Sequence, residues 1–258
     1  MVNPYVYQLL LILLEKNKSM KKIIFLIIKI IALISSINIV NAALIDNGNG
    51  TITQIRNDGS KLMWLKDANY AMTSGYDLDG WMTWTESNLW IDHLNKSNLF
   101  GYNDWRLPEA NPIKSTGYDW SFSYDGSTDY GYNITNINAE MSYMFYEDLG
   151  NTGFYDINGH SPLSGWGLNN NGPFDNILIT GSADYWTGTN YTPNPEIASS
   201  FNFNLGFQNQ EHKSLLSNPA WAVRVISVPE PKISILFAIG IIMLTNKIIC
   251  YKKGRDIK

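Results

Sequence analysis

The sequence predicts an α+β body of short strands, two helices and long loops, flanked by an N-terminal signal helix and a C-terminal transmembrane helix. Three observations predict it. Strand-like runs such as Thr51-Ile-Thr53 and Lys61-Leu-Met-Trp-Leu65 lie between turn segments rich in Asn, Asp and Gly. Two stretches, one opening at Thr83 and one at Asn138, carry helical spacing instead. Apolar runs at residues 23–40 and 233–251 bracket the rest. Residues 1–42 therefore read as an upstream extension and signal peptide, 43–227 as the folded body, and 228–258 as a sorting and anchor segment.

Charge is placed unevenly along the chain. The whole sequence has a formal net charge of −4, yet residues 43–228 hold 20 acidic side chains against 8 Lys and Arg, a net of −12. An acidic body excludes nucleic acid as a partner, because that association needs clustered Lys and Arg to displace counterions. The lone cysteine, Cys250, lies in the C-terminal apolar run. The body thus has neither a disulfide framework nor a thiol nucleophile. All nine tryptophans fall inside it, so aromatic packing supplies what disulfides do not.

Met20-Lys-Lys22, the apolar run to Val40, and the small residues around Ala42 describe a secretory signal peptide. Met20 reads as the start, with Met1 as the alternative; Lys29 inside the run leaves an uncleaved anchor as a second outcome. Either way the body is exported through the Sec machinery. It opens on Leu44-Ile-Asp-Asn-Gly-Asn-Gly-Thr51, a turn sequence that favours a hairpin over a calcium loop, since no bidentate acid follows at EF-hand spacing. Lys61–Leu65 reads as a buried strand.

Thr83-Trp-Thr-Glu86 fits a capping box, and the helix it starts runs to about Asn95. Trp90, Ile91 and Leu94 share its apolar face, with His93 beside that face as a solvated residue. Gly101-Tyr-Asn-Asp-Trp-Arg-Leu-Pro108 follows and reads as a core pin: Trp105 inserts while Arg106 ties loops together. A ligand-binding Arg/Asp pair is the alternative there. Residues 111–132 are long for a connection and rich in Gly, Ser, Asp and Tyr. Their aromatic and acidic side chains nominate Trp120, Asp125, Asp129 and Tyr130 as a ligand-binding set, against plain surface-loop packing.

Asn138 reads as the N-cap of the second helix, with Met141, Met144, Phe145 and Leu149 facing the core and Gly150 closing it. His160 stands alone in a loop, with no second metal ligand at useful spacing. Residues 177–179, 184–187, 198–205 and 220–226 read as strands. No phosphate loop, nucleophile triad or paired-carboxylate motif is present, so the sequence calls for no catalytic residue, metal or cofactor. After Val228, an apolar stretch long enough to cross a bilayer ends in Lys252, Lys253 and Arg255, which favours a cytoplasmic C-terminus.

The tail resembles a PEP-CTERM sorting signal, carried by Pro229, Glu230 and Pro231, the apolar span and the basic end. That resemblance implies an exosortase as processing partner, membrane attachment before cleavage, and delivery to the cell surface or an exopolysaccharide-rich matrix. Asn246, Lys247 and the Lys-rich end depart from the pattern. The body is similar to the DUF1566 family, also called the Lcl C-terminal domain. Gly50-Thr-Ile-Thr53, Leu62-Met-Trp-Leu65, Asp104-Trp-Arg-Leu-Pro108, Tyr185-Trp-Thr-Gly-Thr189 and Trp221-Ala-Val-Arg224 match its landmarks in order. The resemblance implies a C-type-lectin-like fold with first and last strands paired, two flanking helices and long loops on one side. It makes Trp64, Trp105, Arg106, Trp186, Trp221 and Arg224 structural, and it supplies no catalytic residue.

The function expected on these grounds is a non-enzymatic bacterial surface or matrix module that binds polysaccharide or protein. A structural matrix component without a discrete ligand site is the alternative, and a polysaccharide hydrolase a third reading.

Overall fold

The computed structural model describes residues 42–180, 183–214 and 217–227. The signal segment, the Pro229-Glu-Pro231 motif, the C-terminal apolar span and Cys250 lie outside the described residues. Among the described residues, no helix is long and apolar enough to cross a membrane.

β1 (Ala43–Asp46) and β2 (Thr51–Ile55) form a hairpin whose turn is closed by its own side chains. Asp46 accepts the Gly48 N–H at 2.8 Å, and the Asn47 amide donates to the Thr51 hydroxyl at 2.9 Å. β3 (Lys61–Leu65) pairs antiparallel with β2, and β11 (Val223–Val225) pairs with β3, Val223 opposite Trp64. The sheet order is β1-β2-β3-β11. This corrects the expected pairing of first and last strands: the hairpin partner occupies one side of β2, so the last strand joins the third. Beyond β11 the ladder extends only to Arg106, which exchanges both backbone hydrogen bonds with Val223 at 2.8 and 2.9 Å.

A short helix α1 (Tyr70–Thr73) leads to β4 (Trp81–Met82) and α2 (Trp84–Lys96). The capping box is formed: the Glu86 N–H donates to the Thr83 hydroxyl, and the Glu86 carboxylate accepts from the Thr83 N–H. Trp90, Ile91 and Leu94 are buried and His93 is exposed. β4 pairs with β10 (Asn218–Pro219) in a separate two-stranded ladder.

The second large sheet collects β5 (Phe122–Ser123), β6 (Tyr130–Tyr132), β7 (Asp184–Asn190), β8 (Ile197–Asn202) and β9 (Phe207–His212), in the order β5-β6-β9-β8-β7. β5 and β6 run parallel; the other pairs are antiparallel. Two strand expectations change here. Residues 177–179 are irregular, because the Leu178 N–H donates to the Tyr185 hydroxyl rather than to a ladder. The strand expected over 198–205 ends at Asn202, whose side-chain oxygen accepts the Leu205 N–H and turns the chain into β9.

The second helix also starts later than expected. α3 (Glu140–Tyr143) is capped at Ala139, while the Asn138 amide donates instead to the Pro112 carbonyl. It runs on as a π-turn over Met144–Asp148, with Met141, Met144, Phe145 and Leu149 all buried. The core between the sheets is largely aromatic. Trp221 packs edge-on against Trp64 and Phe174 at 5.1 and 4.8 Å, with Phe203 5.7 Å away. Two buried indole N–H groups find backbone acceptors, Trp221 donating to Leu65 and Trp186 to Met82 at 2.7 and 2.8 Å, whereas that of buried Trp90 has no partner among the described residues.

Candidate functional site

Residues 111–132, the long segment singled out in the sequence, lie along the β5–β6 side of the second sheet. The segment is pinned from within by Asp129, which is 1% exposed. Its two carboxylate oxygens accept the N–H groups of Ile113 and Asp119 at 2.8 and 2.7 Å, and its own carbonyl accepts from the Gln208 amide at 2.7 Å. Asp129 is therefore committed to backbone within the loop and presents no free oxygen to a ligand.

The other three nominated residues lie nearer the surface and do not converge on one spot. Trp120 is half-buried and stacks on Tyr118 at 4.5 Å with planes 10° apart. Tyr191 meets it edge-on at 5.1 Å, and its indole N–H donates to the Thr192 hydroxyl at 3.1 Å. Asp125 is exposed and accepts the Ser127 N–H, and its hydrogen bonds to Ser127 hold its carboxyl below the usual range. Tyr130 joins a second ring group around Phe122, which is 43% exposed. Phe122 has Tyr124 at 4.7 Å and Tyr130 at 5.4 Å, and Tyr132 stacks on Phe207 at 4.7 Å. Tyr155 closes the group against Tyr132 at 4.9 Å. Burial, then the neighbouring Tyr155, pushes the Tyr132 hydroxyl up to about 12, so it stays a neutral donor at any physiological pH.

Sequence reasoning missed a carboxyl pair on the same sheet. Asp184 on β7 and Glu211 on β9 are bridged by the Asn209 amide nitrogen, which donates to an oxygen of each, at 3.1 and 2.5 Å. Burial raises Asp184; burial together with Asp184 pushes Glu211 up to about 7. The two stand far apart in the chain, and only the β7-β8-β9 register unites them, so no local motif could have flagged them.

The residues read as structural occupy positions of another kind. Trp64, Trp105, Trp186 and Trp221 are buried. Arg106 forks onto Glu140 at 2.7 and 2.8 Å. Arg224 pairs with Asp104 and lies 4.0 Å over the Tyr102 ring. A cavity of about 370 Å³ lies between α1 and α2, lined by Tyr70, Tyr76, His93 and Leu99 among others. Among the described residues, no group of three or more His, Cys, Asp or Glu side chains is placed to hold a metal ion.

A family model described as the Lcl C-terminal domain matches residues 53–224, more than half of the chain. No curated protein and no solved structure matches it.

Proposed function

The chain belongs to the Lcl C-terminal domain family, and from that premise we propose that it is an exported, non-enzymatic binding module whose ligand is a polysaccharide of the cell surface or matrix. The observation that carries this reading is the aromatic wall along residues 118–132: the Tyr118–Trp120 stack and the part-exposed Phe122, set in an acidic body. Flat ring faces with a few polar groups beside them suit the alternating apolar and hydroxyl-bearing surface of a sugar. The sheet-rich, loop-rich architecture is consistent with a C-type-lectin-like fold.

The ends of the sequence support export. The Sec-type signal before Ala43, the Pro229-Glu-Pro231 motif and the apolar C-terminal run fit transient membrane anchoring, exosortase processing and release to the surface or matrix. Binding is favoured over hydrolysis by the carboxyl pair itself. Two carboxyls that cleave a glycosidic bond stand about 5–9 Å apart across it, whereas Asp184 and Glu211 have the Asn209 amide nitrogen between them, 3.1 and 2.5 Å from their oxygens, in the place that bond would take.

A purely structural matrix role is the second reading, favoured by the internal satisfaction of Asp129 and of the Trp120 indole. A glycan array probed with the full-length chain separates the two. Binding that is lost in Trp120→Ala supports the module; absence of binding to every glycan supports the structural component. Mass spectrometry of the mature protein from its own cells tests both processing points.

A further inference from the structure

We propose that Asp184, Ser200, Asn209 and Glu211 form a binding site for a divalent cation, and that the ion is calcium. The register builds the site. Asp184 is opposite Asn202, Ser200 opposite Asn209, and Ala198 opposite Glu211. Cross-strand partners share a face and side chains alternate along a strand, so Asp184, Asn202, Ser200, Asn209 and Glu211 all project from one side of the sheet. The Asn209 amide reaches across β8 to Asp184, and Ser200 is the β8 residue beneath that span.

Two buried oxygens there point to a missing partner. Among the described residues, Asp184 Oδ1 and Ser200 Oγ have no hydrogen-bond partner, although Asp184 is 5% exposed and Ser200 fully buried. Buried polar atoms are seldom left so, because each forfeits its hydration without return. The carboxyls also lack a cationic side chain: among the described residues, no Lys, Arg or His forms an ion pair with either. One divalent ion would balance both charges and occupy both orphaned oxygens.

The donor set selects the ion. Two carboxylates, a hydroxyl and an amide oxygen are hard ligands, with no His or Cys to favour zinc. Turning the Asn209 amide about its Cβ–Cγ bond exchanges Nδ2 for Oδ1 and completes the set. Calcium tolerates the irregular geometry of side chains from three strands better than magnesium, which demands a near-ideal octahedron. Glu211 is half-buried, which gives the ion a route to solvent. Two carboxylates place the affinity with extracellular modules, at about 10⁻⁴–10⁻³ M. The site is independent of the aromatic wall and does not require that the wall bind sugar.

The test uses the full-length chain in detergent, stripped with chelator, at about pH 8 so that protons do not compete with the ion. Addition of about 5 mM calcium chloride should raise the thermal midpoint by roughly 3–6 °C, and the same magnesium concentration by far less. Terbium should give luminescence sensitised by the nearby tyrosines, quenched by calcium. Glu211→Gln keeps an acceptor oxygen for the Asn209 amide and should fold, yet lose both responses. No midpoint shift and no sensitised terbium in the parent chain would overturn the proposal. So would full responses retained in Glu211→Gln, which would place the ion elsewhere.

Discussion

Arg106 and Glu140 meet as a two-pronged ion pair that joins the edge of the first sheet to the start of α3. The guanidinium nitrogens lie 2.8 and 2.7 Å from the two carboxylate oxygens, and one of those oxygens also accepts the Glu109 N–H at 2.8 Å. Glu140 is 4% exposed. Removing the arginine leaves a buried carboxylate without its counter-charge, so Arg106→Ala should destabilise the fold by about 3–5 kcal/mol. Arg106→Lys keeps the charge and loses the fork, and should fall between Ala and the parent chain. Urea denaturation of the three forms ranks them; an Ala variant as stable as the parent would free Arg106 for the ligand-binding role.

Gly131 decides whether the aromatic wall can form. Its φ of +140° and the close backbone of Ser123 leave no room for a Cβ where β5 runs parallel to β6. Gly131→Ala should separate those strands and disturb Phe122, Tyr130 and Tyr132 while leaving the Trp64–Trp221 core in place. The expected signature is a loss of near-ultraviolet tyrosine dichroism with far-ultraviolet dichroism retained. A variant with an unaltered near-ultraviolet spectrum would show that the wall does not depend on this contact.

These cases mark what the sequence could and could not convey. Thr83 and Glu86 are legible because a capping box is local: both partners and their spacing stand in four consecutive residues. Met141 to Leu149 are legible by periodicity, although Asn138 misleads, since its side chain finds Pro112 and not the helix start. β9 lies beyond the alternating run read over 198–205 and is invisible in sequence because Phe207 is the one apolar residue of Phe-Gln-Asn-Gln-Glu-His212, so no alternation marks it. Asp184 with Glu211, and Arg106 with Glu140, depend on chain crossings that leave no trace in spacing. Asp129 looks like its exposed neighbour Asp125 in sequence; only the fold turns its oxygens inward.

Asp148 should give the stability a pH dependence of its own. Its Oδ2 accepts from Gln54, which in turn accepts the Trp64 indole N–H at 2.7 Å, and burial pushes the carboxyl up to about 6. A raised acid favours the protonated fold. Its contribution is complete below the unfolded value of 3.8 and disappears as pH rises through about 6. The loss should amount to about 1–2 kcal/mol after allowance for solvent screening. Asp148→Asn should flatten that part of the profile. Denaturation midpoints between about pH 4 and pH 7 test it, and an unchanged slope in the variant would assign the dependence to other groups.

Tyr146 is the tie between the π-turn of α3 and the aromatic wall. Its hydroxyl donates to the Gly206 carbonyl at 2.6 Å and accepts the Asn133 N–H at 3.0 Å. Asn133 holds a φ of +57° and uses its amide to reach the carbonyls of Tyr124 and Tyr155, at 2.7 and 3.0 Å. One hydroxyl therefore fixes the backbone that sets two wall residues. Tyr146→Phe removes it and leaves a donor and an acceptor unpaired, a loss of about 1–3 kcal/mol. Asn133→Gly relieves the left-handed backbone but deletes the amide fork, so the two variants separate backbone strain from hydrogen bonding. If the fork positions the wall, both should weaken glycan binding, while only Tyr146→Phe carries the full stability loss. Binding retained in Asn133→Gly, alongside the expected stability loss in Tyr146→Phe, would make Tyr146 a structural tie with no part in shaping the wall.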